Sequence, residues 1–500
     1  MILRIYIYIE KNSTLTIIYL NPMRSLLILL LVIMNLTLFA QGGYKIDFKI
    51  KGLKDTTAYL GFYFWEKTYV KDTARVNSQG VCTFEGRDKL PQGIYLLVLN
   101  NTSVFQLVVG DQQRFTLETA TDDYIKNMVV KGDDDNRLYF ENLVFEREQH
   151  KKAEPFIKIM QDSTLKDDQK KTAREGFEGI SKTVIAYQKD IIDKYPKTVT
   201  ARMLNMLKPV QIPDPPKKAD GTIDSTFQLK YYRKHYFDHF GLADEVMLRQ
   251  SKVFYWDKVK EYLDRLFIQH PDTITKAING LIAVAKTNKD TYRYLVWNCI
   301  VNYQNPGIMG LDKVYIDLFD KYFGTGEMDY WLDKKTIQNM KDLADKRRRA
   351  LIGTIAPNLT MQNENLQPRS LYDLKNKYTI IFFFLPSCSH CREETPKLVN
   401  FYNANKKRFD LEVFAVSTDT ALQEMKKFIK EMKTPWTTVN GPRSYLKTHF
   451  MELYNVESTP FIYIIDDRKK IIARKLDVSQ IENFLTNYEK FSKPNSNRVN

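Results

Sequence analysis

A chain of 500 residues is too long for one ordinary hydrophobic core, so we expect about two to four domains. Apolar residues make up 43% and aromatic residues 13%, which excludes a disordered or fibrous chain. The formal net charge is +15, but basic and acidic side chains are mixed along the chain, as on a solvated surface. The densest basic run, residues 346–349, continues a helical pattern, so no nucleic-acid partner is predicted.

The chain starts with two apolar segments. Residues 1–22 are interrupted by polar residues at 10–12, and Met23 would make a cleaner start, so we interpret 1–22 as a doubtful leader. Residues 23–40 combine a short basic start, an apolar run and a small exit residue, which is the pattern of a secretory signal peptide. The run is shorter than the roughly twenty residues of a membrane span, and an uncleaved anchor is the alternative. The predicted location is therefore the periplasm or cell envelope.

Residues 41–135 are typical of β-structure. From Tyr44 to Ile50, apolar and charged residues alternate with the period of a half-buried strand. Asn77 and Gly80 supply the turn chemistry of a hairpin. Short apolar runs continue at this spacing and predict a small β-sandwich. These further predicted strands are 94–99, 104–109 and 114–119.

Residues 136–350 are typical of a helical domain, because apolar residues recur at steps of three and four. Four prolines between 209 and 216 mark a non-helical connection. The aromatic stripes on these helices are interpreted as core packing rather than as a cofactor site. The clearest stripes run over 180–195, 259–267 and 314–323.

Residues 351–500 alternate between strand and helix patterns, which indicates a mixed sheet covered by helices. The run 378–384 is wholly apolar, as in a buried central strand. The other predicted strands are 411–416, 461–465 and 471–473, and the predicted helices are 392–402, 421–432 and 479–488.

Four cysteines are too few for a disulfide scaffold at this length. Cys82 and Cys299 lie in apolar runs and are interpreted as buried small residues. Cys388 and Cys391 are three apart, where a buried strand turns into a helix. Free N–H groups at the helix N-terminus stabilise a thiolate, and a second thiol one turn away can resolve a mixed disulfide. Half of a zinc site has the same spacing and is the alternative.

These residues resemble the thioredoxin superfamily, and within it the TlpA-like periplasmic thiol-disulfide oxidoreductases. The resemblance covers roughly residues 353–488 and includes Pro396, which lies in the helix after the cysteines, and Thr459-Pro460 before an apolar strand. It implies a redox disulfide between Cys388 and Cys391. It also implies a cis peptide bond at Pro460, with Thr459 offering backbone hydrogen bonds to the substrate.

Two positions depart from the family pattern, and two others are candidates for tuning the redox potential. Ser387 replaces the usual Trp, and Phe382 replaces the buried acid of many thioredoxins. Glu394 is a candidate substitute for that acid, and a surface carboxylate is the alternative. His390 resembles the C-x-H-C arrangement of the DsbA family, in which an imidazole favours the thiolate. An exposed histidine with little effect is the alternative.

The predicted protein is multidomain, with an N-terminal small β-sandwich (41–135), a central all-α region (136–350) and a C-terminal α/β thioredoxin-like fold (351–500). This order resembles multidomain exported proteins of Bacteroidetes. The predicted function is thiol-disulfide exchange with protein substrates, with a membrane electron donor or acceptor as partner and no metal or other cofactor. The direction of electron flow and the oligomeric state stay open.

Two other functions are alternatives. Peroxiredoxins share the fold, but their reactive cysteine follows a Thr by three residues, and position 385 is Leu. An envelope protein whose front domains bind a glycan or a peptide is the other alternative.

Overall fold

The structure, a computed structural model, describes residues 43–100, 102–217, 220–251 and 254–492. The predicted leader and signal peptide, 1–22 and 23–40, lie outside these residues. Across the described ranges, no helix combines the length and the apolar character that a membrane crossing requires.

The chain divides into two compact units, residues 1–257 and 258–500, which are described separately below. The division falls inside the predicted helical domain 136–350. The predicted domain limits at 135 and 350 stay predictions.

The first unit begins with two four-stranded sheets packed face to face, which confirms the β-rich N-terminal region. One sheet has the order β4-β1-β7-β8 and the other β3-β2-β5-β6. The strands are β1 (Tyr44–Lys51), β2 (Thr57–Phe64), β3 (Lys67–Arg75), β4 (Val81–Gly86), β5 (Gly93–Leu99), β6 (Thr102–Val109), β7 (Arg114–Ala120) and β8 (Val129–Lys131).

The alternation of β1 explains its place in this sandwich. Ile46, Phe48 and Ile50 are completely buried, while the charged residues between them face outward. They share one core with residues of the second sheet such as Leu60 and Leu97. The strands β2 and β3 were not predicted from the sequence. In β3 the residues are exposed on both faces, so the strand carries no apolar alternation.

Helices follow the sandwich in the first unit. Helix α1 begins after Asp133, whose carboxylate accepts hydrogen bonds from the backbone at Asp135 and Asn136. The buried Asn136 side chain bonds both the N–H and the carbonyl of Val108, which ties α1 to β6. The helices are α1 (Asp134–Gln161), α2 (Asp167–Lys194), α3 (Val199–Met206) and α4 (Phe227–His235), followed by α5 (Phe254–Arg265), in which the division falls.

The second unit starts with helices and confirms the central helical region. A π-helical turn, Phe319–Phe323, continues the third of these helices. They are α6 (Pro271–Ala285), α7 (Lys289–Asn302), α8 (Asp312–Leu318) and α9 (Lys334–Arg348).

The rest of the second unit is a seven-stranded sheet with the order β10-β9-β13-β12-β11-β14-β15. The central strand β11 is buried at every residue, because helices cover both faces of the sheet. The strands are β9 (Thr360–Asn363), β10 (Pro368–Ser370), β11 (Tyr378–Phe384), β12 (Leu411–Ser417), β13 (Thr437–Ser444), β14 (Phe461–Asp466) and β15 (Ile471–Arg474). The helices are α10 (Ser389–Phe409), α11 (Leu422–Met432), α12 (Phe450–Leu453) and α13 (Val478–Ser492).

Strand β11 pairs in parallel with β12 and antiparallel with β14. The antiparallel pairing sets Phe383 opposite Phe461, so the loop before β14 lies beside the end of β11. Strands β9, β10 and β13 were not predicted from the sequence. The first two are short, and β13 contains a Gly-Pro pair that reads as a turn.

Candidate active site

Cys388 lies where the central strand becomes a helix. Strand β11 ends at Phe384, and Cys388 is the N-terminal cap residue of α10 with an extended backbone. Its N–H donates to the carbonyl of Leu385 at 3.0 Å, which closes a tight turn between strand and helix. The turn places the Cys388 sulfur beside the free N–H groups of the first helical turn, where a negative charge is stabilised.

The Cys388 thiol is partly exposed and acidic for a thiol. Partial burial alone would raise its pKa. Hydrogen bonds from the backbone N–H and the thiol of Cys391, the Thr459 side chain and the backbone N–H of His390 outweigh burial, and the pKa of Cys388 is lowered. Cys388 is therefore suited to attack a disulfide as a thiolate.

Cys391 lies in the opposite environment. Its side chain is completely buried in the core that also contains Phe382 and Phe384. Burial raises the pKa of Cys391 to about 12, although the Leu385 N–H donates to its sulfur at 3.5 Å. Both cysteines are free thiols in this structure. One thiol of the pair is therefore partly exposed with a lowered pKa, and the other is buried with a raised pKa.

The loop before β14 faces this pair. The Thr459–Pro460 peptide bond is cis, as the resemblance implies. The thiol of Cys388 donates to the Thr459 carbonyl at 3.5 Å, across 71 positions of sequence. The structure thus brings together four of the predicted site residues: Cys388, Cys391, Thr459 and Pro460.

The side chains of His390 and Glu394 pair with neighbouring charged residues and not with the two cysteines. The His390 side chain is 78% exposed, and its Nδ1 lies 3.7 Å from a Glu393 oxygen. His390 reaches Cys388 through its backbone N–H. Glu394 forms an ion pair with Lys397 at 2.6 Å, and its hydrogen bonds within the described part of the chain include neither cysteine.

Arg392 is a residue of the site that the sequence analysis missed. Its Nη1 donates to the carbonyl of Pro386 at 3.3 Å and its Nη2 to Glu431 on α11 at 2.6 Å. The guanidinium lies 5.9 Å from the centre of the Phe428 ring. Arg392 therefore holds the turn between β11 and α10 in place. In this turn the Leu385 N–H donates to the Cys391 sulfur, and the Leu385 carbonyl accepts from the Cys388 N–H. The sequence motif contains Arg392 directly after Cys391. Its role could not be predicted, because its partner Glu431 is distant in sequence.

Three family models match parts of the chain. The model of the AhpC/TSA family matches residues 352–474. Two models described as domains of unknown function, DUF4369 and DUF5106, match residues 44–139 and 186–347.

Several relatives are similar to about a quarter of the chain. A domain of a possible thiol-disulfide isomerase from Cytophaga hutchinsonii is 37% identical over 28% of this chain and 95% of that chain, with a TM-score of 0.27. The thioredoxin domain of a thiol-disulfide oxidoreductase from Bacteroides vulgatus is 33% identical over 28% and 96% of the two chains, with a TM-score of 0.24. Probable nucleoredoxin 1 from Arabidopsis thaliana is 25% identical over 123 residues, and the match spans only 21% of that protein's length.

The C-terminal domain of this chain therefore belongs to the thioredoxin superfamily. Its class is that of the thioredoxin-like thiol-disulfide oxidoreductases.

Replacing Arg392 by Gln is expected to raise the pKa of Cys388. Without the guanidinium, the Pro386 carbonyl is released and the turn that aligns the N–H donors loosens. A loss comparable to one hydrogen bond corresponds to a rise in the pKa of about 0.5 to 1. The pH dependence of Cys388 alkylation by iodoacetamide measures this pKa, because only the thiolate reacts.

The matched control is Arg408→Gln, on the same helix. Arg408 forms an exposed ion pair with Glu482 at 2.6 Å and is far along the helix from the cysteines. An Arg392→Gln variant with the alkylation midpoint of the control would refute the positioning role of Arg392.

Proposed function

We propose that this chain is a periplasmic, TlpA-like oxidoreductase that exchanges electrons with protein disulfides through the Cys388-Ser389-His390-Cys391 site. The observation that carries the proposal is the contrast between the two thiols. Cys388 is partly exposed with a lowered pKa, and Cys391 is buried with a pKa raised to about 12. A nucleophile and a resolving thiol need this contrast. The nucleophile must attack an external disulfide, and the resolving thiol must react only after the mixed disulfide has formed.

The reaction proceeds in two exchanges. The Cys388 thiolate attacks one sulfur of the substrate disulfide, so that the substrate S–S bond breaks, a mixed disulfide forms and one substrate thiolate departs. Cys391 then loses its proton and attacks the Cys388 sulfur, which releases the second substrate thiolate and forms the Cys388–Cys391 disulfide. Two electrons pass from the cysteine pair to the substrate, and the reverse sequence oxidises a substrate dithiol.

The loop around Thr459 and Pro460 is the proposed substrate groove. The Thr459 carbonyl accepts a hydrogen bond from Cys388, so a polypeptide that reaches this sulfur must pass the loop. Backbone groups of Thr459 would then pair with the substrate chain, as an added strand does at a sheet edge.

The proposed location follows from residues 23–40, which have the pattern of a signal peptide. An enzyme in the envelope needs a source or an acceptor of electrons. A membrane thiol donor or acceptor is the proposed partner that regenerates the Cys388–Cys391 pair.

A Cys391→Ser variant should trap substrate proteins as mixed disulfides. Because serine cannot resolve the intermediate, the bond between Cys388 and the substrate persists. The trapped species appear on a non-reducing gel as bands that dithiothreitol removes, and mass spectrometry identifies the linkage at Cys388. Cys388→Ser is the matched control and should trap nothing. Equal trapping by both variants would contradict the assignment of the nucleophile.

His390 is proposed to favour the Cys388 thiolate through its imidazole. Its side chain is 78% exposed, so the effect is bounded by the small energies of exposed charges. His390→Gln is expected to make the reduction potential more negative by about 5 to 20 mV. Equilibration with glutathione measures this value, with Glu393→Gln as a control for the partner carboxylate. A potential that does not move, or that rises, would exclude the role.

The two alternative functions, thiol peroxidase and envelope binding protein, predict different results with the same purified protein. A thiol peroxidase would consume hydrogen peroxide, whereas Leu385 stands where the reactive site of peroxiredoxins has a Thr. A binding protein would form no mixed disulfide in the Cys391→Ser variant.

A further inference from the structure

Lys475, the residue after β15, contacts the chain on both sides of the Thr459–Pro460 loop. Its backbone N–H donates to the Ile462 carbonyl at 2.9 Å, two residues after the loop. Its Nζ forms an ion pair with Glu457 at 3.0 Å, two residues before the loop. The same Nζ lies 5.8 Å from the centre of the Phe461 ring, within the range of a cation–π contact. A single residue therefore connects the two ends of the loop.

These contacts lie close to the reactive sulfur. The Thr459 carbonyl accepts a hydrogen bond from the Cys388 thiol at 3.5 Å. Glu457 is two residues from Thr459, and two residues of chain span at most about 7 Å. A displacement of Glu457 is therefore passed directly to the carbonyl that faces Cys388.

The residue before Lys475 is anchored in the interior of the second unit. Arg474, the last residue of β15, forms an ion pair with Asp312 on α8 at 2.7 Å, and the two residues are 5% and 6% exposed. The Arg474 N–H also donates to the sulfur of Met309 at 3.2 Å. Breaking a buried pair by removing one partner is costly, so this end of β15 is a firm point of attachment.

The backbone of Lys475 has an unusual conformation for a lysine. Its φ is 57°, in the left-handed region that side chains with a Cβ rarely adopt. Such a conformation persists where the surrounding contacts determine it, often near functional sites. At Lys475 these contacts are the anchored Arg474 on one side and the Ile462 carbonyl on the other. They start the lysine side chain from a fixed point, from which it reaches Glu457 and Phe461.

Stability does not explain the ion pair of Lys475 and Glu457. Their side chains are 48% and 44% exposed, and ion pairs with this exposure contribute little to the free energy of unfolding. A small energy is nevertheless sufficient to bias the position of a loop by a few fold. The effect of the pair is therefore expected in the reaction with a polypeptide rather than in stability.

We propose that Lys475 is a positioning residue of the oxidoreductase site, which holds the Thr459–Pro460 loop against Cys388 and so aligns polypeptide substrates. This role rests on the proposed function and deepens it, because it names a residue outside the cysteine motif that acts on the proposed groove. Lys475 acts through the loop and takes no part in the exchange of sulfur atoms.

The test compares two reagents on the Lys475→Met variant of the full chain. One is a neutral heptapeptide whose central cysteine carries a pyridyl disulfide, and the other is dithiodipyridine, which has the same leaving group but no polypeptide. The Cys388 thiolate attacks either reagent, so that its S–S bond breaks, a mixed disulfide with Cys388 forms and thiopyridone departs. Absorbance of thiopyridone gives the second-order rate constant.

Methionine keeps the apolar stem of Lys475 but removes the charge that pairs with Glu457. We expect the rate constant for the peptide to fall about two- to fivefold, the range that the energies of exposed ion pairs allow. The rate constant for dithiodipyridine should not change, because this reagent does not lie along the loop. Lys475→Arg keeps the charge and should retain most of the peptide rate.

Lys377→Met is the matched control. Lys377 also pairs with a carboxylate, that of Glu489, its side chain is 50% exposed, and its Nζ lies 5.1 Å from the centre of the Tyr378 ring. It directly precedes β11, at the opposite end of that strand from Cys388. This variant should have the wild-type rate constants for both reagents.

A double-mutant cycle with Glu457→Gln then tests the partner. Because Lys475 and Glu457 act as a pair, the loss in the double variant should be smaller than the product of the two single losses. Losses that multiply, equal slowing with both reagents, or a Lys475→Met variant with the wild-type peptide rate would overturn the proposal. A wild-type chain in which Cys388 reacts with neither reagent would instead overturn the proposed function, so the two failures are distinct.

Discussion

The site depends on one constraint, the turn from the buried strand β11 into helix α10. A strand covered on both faces ends at an edge of the sheet, and a helix that starts there presents free N–H groups at its first turn. Cys388 occupies that start and Cys391 the inward side of the next turn. Hydrogen bonds at this turn therefore lower the pKa of the first thiol, and burial in the core raises that of the second.

The turn is not sufficient, because two other parts of the domain complete the site. The antiparallel pairing of β11 with β14 delivers the Thr459 carbonyl to Cys388. Arg392 ties the turn to α11 through Glu431. The β-sheet, the covering helix and the loop thus each fix one side of the sulfur pair, and the chemistry follows from their combined positions rather than from the cysteine spacing alone.

The features that could be predicted from the sequence are the local ones. The alternation in β1 and the apolar run of β11 are short-range patterns, and each predicted its strand correctly. The edge strand β3 and strand β13 have no such pattern, because long-range pairing rather than periodicity defines them. The pair of Arg392 and Glu431 was not predicted for the same reason, since the two residues meet only in the folded domain.

The most direct test of thiol-disulfide exchange at this site is the reduction potential of the Cys388–Cys391 pair in the purified chain. Equilibration over a series of glutathione ratios, followed by alkylation and mass spectrometry, gives the fraction that is bonded. We predict one reversible two-electron transition, at a potential between about −270 mV, as in thioredoxin, and about −120 mV, as in DsbA. A pair that forms no reversible disulfide at any ratio would contradict it.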